Sequence, residues 1–359
     1  MKRTDFSVDW LFAACAPDTE LLPWDAQFTP VDLPHDWQIR HADDLYRDGT
    51  LFYRKYFFVT DVPGIRRMLW FGGAYMDTTV FVNGTEVGQW KYGYTSFWFD
   101  ITDALHEGQN EVLVRCNLRH PNSRWYSGAG LYRNVELWEA PDLHLMPDGL
   151  YVAAKEDDNG AWTVAVTAEA GSVTTASAGR TLTLHLTDDN GSLLGTAAIP
   201  ADAWAALPSP DGWRTGKETA IYKASHTFTL QDPALWDLDA PSFYHITAEL
   251  TGADGVTDTL TTRFGCRTIE ATPDCGLLVN HKRVLIRGVC IHHDFGCLGS
   301  AFEYSAAKRQ LEILKSMGVN SIRTGHTPPA PQFMDLADEM GILMDVESFD
   351  CWRSGKNPY

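Results

Sequence analysis

Side chains capable of chemistry crowd together between positions 292 and 350. His292-His293-Asp294 ends one apolar run, Arg323 and His326 flank the end of a second, and Glu347 and Asp350 follow a third. Imidazoles and carboxylates grouped in this way can move protons, hold a cation or hydrogen-bond a polyol. Metal binding fits this pattern least. Adjacent residues on an extended chain point in opposite directions, and no second His/Cys pair stands at metal spacing. The plain reading of Arg323 is an ion pair bracing a rim, with Glu347 as its partner. The stretch His326-Thr-Pro-Pro-Ala-Pro331 is a stiff loop in which proline fixes φ and opens a helix. It is either a helix start alone or a rigid mount that holds His326 at a substrate.

The elements behind these clusters alternate. Residues 284–291 read as a buried strand, and 306–317 as a helix with apolar Leu311, Leu314 and Met317, ended by Gly318. Residues 320–324 form a second strand, 331–340 a second helix stopped by Gly341, and 342–346 a third strand. This order predicts a parallel β/α architecture, the first part of an eight-fold TIM barrel, in which functional residues gather at the C-terminal strand ends. A closed barrel takes about 250 residues. Far fewer remain here, so the expectation is a fragment of a longer protein, or one that meets a separately encoded remainder of the barrel. Three strands alone would leave an edge unpaired and apolar area exposed.

Upstream, the pattern is all-β. From 52 to 139, short alternating runs are separated by turn residues, and Asn83-Gly84 between apolar runs is a hairpin signal. Ala140-Pro141-Asp142 marks a boundary. Further strands then appear around 162–168, 181–187, 220–230 and 244–250, with turns at Asp158-Asn-Gly160 and Asp189-Asn-Gly191. The reading is a many-stranded β-sandwich over 1–141, a second sandwich of immunoglobulin-like size over 142–269 and the start of a barrel over 270–359.

Composition narrows the partners. A net charge of -18 over 359 residues argues against nucleic acid or an anionic membrane surface, whose phosphates it would repel, and leaves neutral sugars open. No run approaches the length of a membrane-spanning helix. Asp5 and Asp9 interrupt any apolar leader, and Phe12-Ala-Ala-Cys15 lacks the apolar stretch of a lipoprotein signal. The seven cysteines are scattered without a CxxC pair, the pattern of reduced thiols in a cytoplasm.

Longer motifs point to a family. Arg287-Gly-Val-Cys-Ile-His-His-Asp294, the run from Gln310 to His326 and Asp338-Glu-Met-Gly-Ile-Leu-Met344 resemble the start of the catalytic barrel in glycoside hydrolase family 2, which contains the large β-galactosidases, β-glucuronidases and β-mannosidases. Phe52-Tyr-Arg-Lys55, Val82-Asn-Gly84, Gly93-Tyr94 and Trp125-Tyr-Ser-Gly-Ala-Gly-Leu-Tyr-Arg133 are similar to its sugar-binding jelly roll. Leu235-Trp236 before Pro241 is similar to its middle domain.

The resemblance implies a retaining glycosidase acting on a β-linked galactoside or related glycoside. His292 and Asp294 would line the terminal-sugar pocket, Arg323 would brace and contact it, His326 would lean on the sugar near the reacting carbon, and Glu347 would shape the floor. Arg124 and Tyr126 would reach across from the first sandwich. No cofactor is evident, and a divalent metal and a homo-oligomer in the complete enzyme stay open. Many family members read Asp-Glu after the third strand; here Asp345-Val-Glu347 leaves open which carboxylate faces the pocket.

A retaining enzyme needs two carboxyl groups about 5 to 5.5 Å apart. The resemblance places both beyond Tyr359, so no catalytic residue is assigned within this chain. Glu347 with Asp350 or Asp294 is the weaker substitute, because nothing in the sequence raises one pKa while leaving the other ionised. A β-glucuronidase is the rival activity. A carbohydrate-binding module using Trp90, Tyr92, Tyr94 or Trp125 is the rival from another class, with core packing as the plain reading of those aromatics.

Overall fold

A computed structural model of the chain describes residues 1–350 apart from 42, 61–63, 174–178, 208–217, 219 and 253–254. Its first unit is a sandwich. A six-stranded sheet runs in the order Thr29–Val31, Trp10–Cys15, Gly49–Val59, Gly108–Leu118, Thr78–Val82, Thr85–Trp90. It faces a four-stranded sheet of Lys2–Asp5, Val135–Pro141, Ile65–Phe71 and Phe97–Asp100. Alternation sends Leu51, Tyr53, Val112 and Val114 inward from the first sheet to meet Leu69, Phe71, Phe97 and Phe99 from the second. Asn83 and Gly84 take φ of 49° and 78° between Val82 and Thr85, which makes the tight hairpin their types predict.

Three strands ahead of position 52 were not legible in the sequence. Lys2–Asp5 is exposed throughout and charged at every position but Thr4, and is held as a strand by pairing with Val135–Pro141 instead of by any pattern of its own.

The second unit is another sandwich. His144–Glu156, Trp162–Ser172, Ala220–Leu230 and Ala205–Leu207 form one sheet, and Leu193–Pro200, Thr181–Asp188, Tyr244–Gly252 and Gly255–Phe264 the other. Val164, Val166, Leu184, Leu186, Ile246 and Leu250 fill the space between them. Gly160 and Gly191 have positive φ at the two predicted turns.

The third unit opens with an antiparallel meander, Ile269–Thr272, Gly276–Val279 and Lys282–Arg283. Three parallel strands follow, β1 (Gly288–Ile291), β2 (Ser321–Thr324) and β3 (Leu343–Val346), joined by α1 (Tyr304–Ser316) and α2 (Pro331–Glu339). The strand predicted to begin at 284 thus begins four residues later. Val284 still donates to the Leu277 carbonyl of the meander, so the chain must turn through 284–287 before joining β2, which leaves Leu285 and Ile286 exposed.

Trp236, almost wholly buried, ties the second sandwich to this unit by donating from Nε1 to the Asp338 carbonyl at the end of α2 (2.9 Å). Gly341 passes so close to Leu238 that a Cβ would lie 2.0 Å from its carbonyl oxygen, and its φ of 64° excludes most side chains as well. The glycine read as a helix stop is also a contact point between units.

Candidate active site at the mouth of the parallel sheet

Val289, Ile291, Ile322 and Met344 pack against α1 and α2. Because side chains alternate along a strand, Cys290, Arg323 and Asp345, which the register sets side by side, look to the opposite face. Glu347 lies two residues beyond Asp345 on that face, nearer the mouth. Both carboxylates of Asp345-Val-Glu347 therefore share one side of the sheet at different depths, and Glu347 meets the predicted histidine.

Arg323 donates to Glu347 Oε1 from Nε (3.0 Å) and from an Nη (2.5 Å). His326 Nδ1 stands 2.7 Å from Glu347 Oε2 and 3.3 Å from the same Arg323 Nη. One ring nitrogen cannot donate to Glu347 and accept from Arg323 at once, and the shorter contact favours donation to the carboxylate. That choice leaves His326 Nε2 unprotonated in the neutral ring. Burial acts to raise the Glu347 pKa, but the hydrogen bonds from His326 and Arg323 and the guanidinium charge outweigh it, and the carboxyl ends below its ordinary value. Glu347 is thus held as an anion between two cationic or donor groups, an arrangement suited to fixing a pocket floor.

The first sandwich supplies the facing wall. Trp125 stacks on His292 (ring centroids 5.4 Å apart, planes within 8°) and lies 5.2 Å from the His326 ring. Arg124 makes a two-oxygen contact with Asp350 at 2.8 and 3.1 Å. Tyr92 donates to the Ser348 carbonyl (2.5 Å), and buried Arg133 reaches the Pro328 carbonyl (3.1 Å). His293 turns away from the mouth and donates from Nε2 to the Ser127 carbonyl (2.9 Å) between the rings of Tyr94 and Tyr132. Burial there lowers its pKa to about 4, so the ring is neutral near pH 7.

The predicted residues separate into two groups. Arg323, His326, Glu347, His292 and Arg124 converge on one mouth. Tyr126 does not offer its hydroxyl there. That group donates to the buried Asp36 carboxylate (2.6 Å), and burial together with the Asp36 charge raises its pKa. Asp294 lies near enough to Tyr126 and His293 to act on both electrostatically, and it makes no hydrogen bond among the described residues. Of the four aromatics weighed as sugar contacts, Tyr94 is core, Trp90, Tyr92 and Trp125 pack partly into the core, and of these Trp125 alone also stands against the histidines of the mouth. Its prominence was hidden in sequence because its partners lie some 170 and 200 positions away. Among the described residues, no group of three or more His, Cys, Asp or Glu is placed to hold a metal ion, and no helix is long and apolar enough to cross a membrane.

Two β-sandwiches in tandem, the first laying an aromatic and cationic loop over the strand ends of a β/α unit, define a multidomain protein of β plus β/α architecture. Comparison with known proteins makes this specific. Models of the family 2 glycosyl hydrolases match in tandem: the sugar binding domain over residues 24–141, the family 2 model over 144–267 and the TIM barrel domain over 271–355. The chain belongs to glycoside hydrolase family 2.

A β-galactosidase of Bacteroides ovatus is 34% identical over all of this chain and 42% of its own length. A putative β-glucuronidase of Formosa agariphila is 30% identical over 98% of this chain and 33% of its own length. The crystal structure of a family 2 member from Bacteroides cellulosilyticus superposes with a TM-score of 0.86 at 27% identity, covering 100% of this chain and 47% of that one. The chain therefore spans less than half the length of these relatives.

Proposed function

We propose that these residues form the two accessory sandwiches and the glycone-side wall of a retaining β-galactosidase-type hydrolase, acting on β-linked galactosides in the cytoplasm. The Arg323–Glu347–His326 network facing the Trp125–His292 stack carries this reading. A sugar ring needs an apolar wall for its C–H face and fixed donors and acceptors for its hydroxyls, and this mouth offers both. The cytoplasmic setting is supported by the six described cysteines, all of which are free.

The bond-breaking pair is not among these residues. Glu347 is committed to Arg323 and His326, and Asp350 to Arg124, so neither is a protonated acid facing a free nucleophile. Both catalytic carboxylates would come from polypeptide outside the 359 residues. A β-glucuronidase-type activity is the second reading, because relatives of both names match over nearly the whole chain. The test is turnover of p-nitrophenyl β-galactoside and p-nitrophenyl β-glucuronide. The 359-residue chain should turn over neither, and a protein that extends it through a complete barrel should prefer the galactoside. Hydrolysis by the short chain would overturn the assignment of the pair, and preference for the glucuronide would overturn the sugar.

A further inference from the structure

Asp36 lies in the first sandwich, away from every motif that suggests chemistry, yet its carboxylate is the most heavily used acceptor at the seam with the β/α unit. Five donors reach it: Gln38 N (2.9 Å) and Ala129 N (3.0 Å) on Oδ1, and Tyr126 Oη (2.6 Å), Ser300 N (2.8 Å) and Ser300 Oγ (3.0 Å) on Oδ2. They come from three separate segments. One carries Asp36 itself, one is the sandwich loop that bears Arg124 and Trp125, and one is the loop that follows β1 and bears His292. Asp36 is 3% exposed and Ser300 1%.

The space around the carboxylate is equally specific. A Cβ on Gly128 would stand 2.6 Å from Asp36 Oδ2 and 1.9 Å from Ser300 Oγ, and one on Gly299 would stand 2.3 Å from the same Oδ2. Both glycines have positive φ, 68° and 62°. One belongs to the sandwich loop and the other to the barrel loop, so each unit opens its backbone beside the same carboxylate oxygen, Asp36 Oδ2. A carboxylate only filling a core would need neither the second unit's donors nor its glycine.

We propose that Asp36 is a positioning residue that sets the Arg124–Trp125 loop on the loop after β1, and through it aligns the Trp125 ring with His292 and His326. Its importance for turnover rests on the reading of this mouth as the sugar site, but its positioning role does not. Loss of Asp36 leaves Tyr126 Oη and both Ser300 donors without their acceptor inside the seam, and an unsatisfied buried donor drives local opening. The sandwich core, which does not depend on Asp36, should stay closed.

The test uses Asp36→Asn in this chain, which keeps the volume between the two glycines and turns an acceptor-only group into one that also donates. Hydrogen exchange read by mass spectrometry should accelerate at least tenfold in peptides covering 122–130 and 295–301, and by less than twofold in those covering 162–172 and 244–252. In NMR spectra of the chain labelled at histidine Cε1, the His292 and His326 signals should lose the ring-current shift imposed by Trp125, while those of His185 and His226 in the second sandwich stay in place. Unchanged exchange and unchanged His292 and His326 signals would overturn the proposal, as would exchange that rises equally in all four peptides. Should Asp36→Asn fail to fold, the double variant Tyr126→Phe, Ser300→Ala removes one hydroxyl from each loop. It should move the same peptides and signals in the same direction, and no change there also overturns the proposal. No sugar enters either readout, so failure of the proposed hydrolase activity leaves both results interpretable.

Discussion

The first sandwich and the three-stranded parallel sheet are built from the same kinds of residue but finished differently. In the sandwich, Leu69, Phe71, Val80, Val112 and Val114 are fully buried between two sheets. In the parallel sheet, one face is covered by α1 and α2, and the other presents Cys290, His292 and Asp345 to solvent, with Val346 and Phe349 exposed at the far edge. The sandwich gains its stability from two-sided apolar burial. The sheet keeps an open polar face, and the sandwich loop of Arg124 and Trp125 covers the mouth end of it. The proposed sugar site sits where the well-packed unit leans over the half-covered one.

That contrast breaks most directly at the core. Leu69→Ala in the sandwich should cost about 2–5 kcal/mol of stability, since it removes a fully buried side chain and leaves a cavity. Val346→Ala, at 42% exposure on β3, should cost well under about 1 kcal/mol. Urea unfolding of the two variants measures both, and equal losses would mean the sheet is packed as tightly as the sandwich.

The seam between the two regions can be sharpened by pH. His293 is neutral in the folded chain, with a pKa of about 4 against the usual 6.5. Between those values the unfolded chain binds a proton that the folded chain does not, so stability falls as pH drops from 6.5 towards 4 and this contribution levels off below. The loss amounts to about 3 kcal/mol at most. His293→Gln, whose amide can still donate to the Ser127 carbonyl, should flatten unfolding free energy against pH across that window. Glu347 works in a lower range: its carboxyl is held below the ordinary value, so its contribution is present at neutral pH and fades as pH falls from the ordinary carboxylate value through that depressed one. An unchanged slope in His293→Gln between pH 6.5 and 4 would remove His293 from the acid response.

What the sequence revealed follows the same divide. Periodicity located the hairpin at Asn83-Gly84, both helices and all three parallel strands, because each is dictated by local pattern and turn chemistry. The pairing of Arg323 with Glu347 was also legible, since both sit at neighbouring strand ends. The charged strand Lys2–Asp5 was not, because only its partner makes it a strand. Neither was the late start of β1, where the meander claims Val284 first. Trp125 on His292, Tyr126 turned to Asp36 and Asp36 itself are contacts between distant segments, and no spacing rule encodes them. His292-His293-Asp294 shows the limit most plainly. Strand alternation separates the two imidazoles, but only the fold decides that one faces the mouth and the other the sandwich interior.

The smallest effect on stability belongs to the rim. The Arg124 side chain is 64% exposed where it meets Asp350, and a pair with one partner so open to water is worth between zero and about 1 kcal/mol. Arg124→Ala should therefore leave unfolding in urea within about 0.5 kcal/mol of the unaltered chain, and raising salt should narrow even that gap. Under the proposed function the same change alters the wall over the pocket, so a barrel-complete protein carrying it should show KM for p-nitrophenyl β-galactoside raised severalfold. A side chain that contributes almost nothing to stability yet shifts KM belongs to the mouth, whereas one that lowers stability and leaves KM alone belongs to the scaffold. Arg124→Ala in the second category would move the sugar wall from the sandwich loop back to the barrel residues His292, His326 and Glu347.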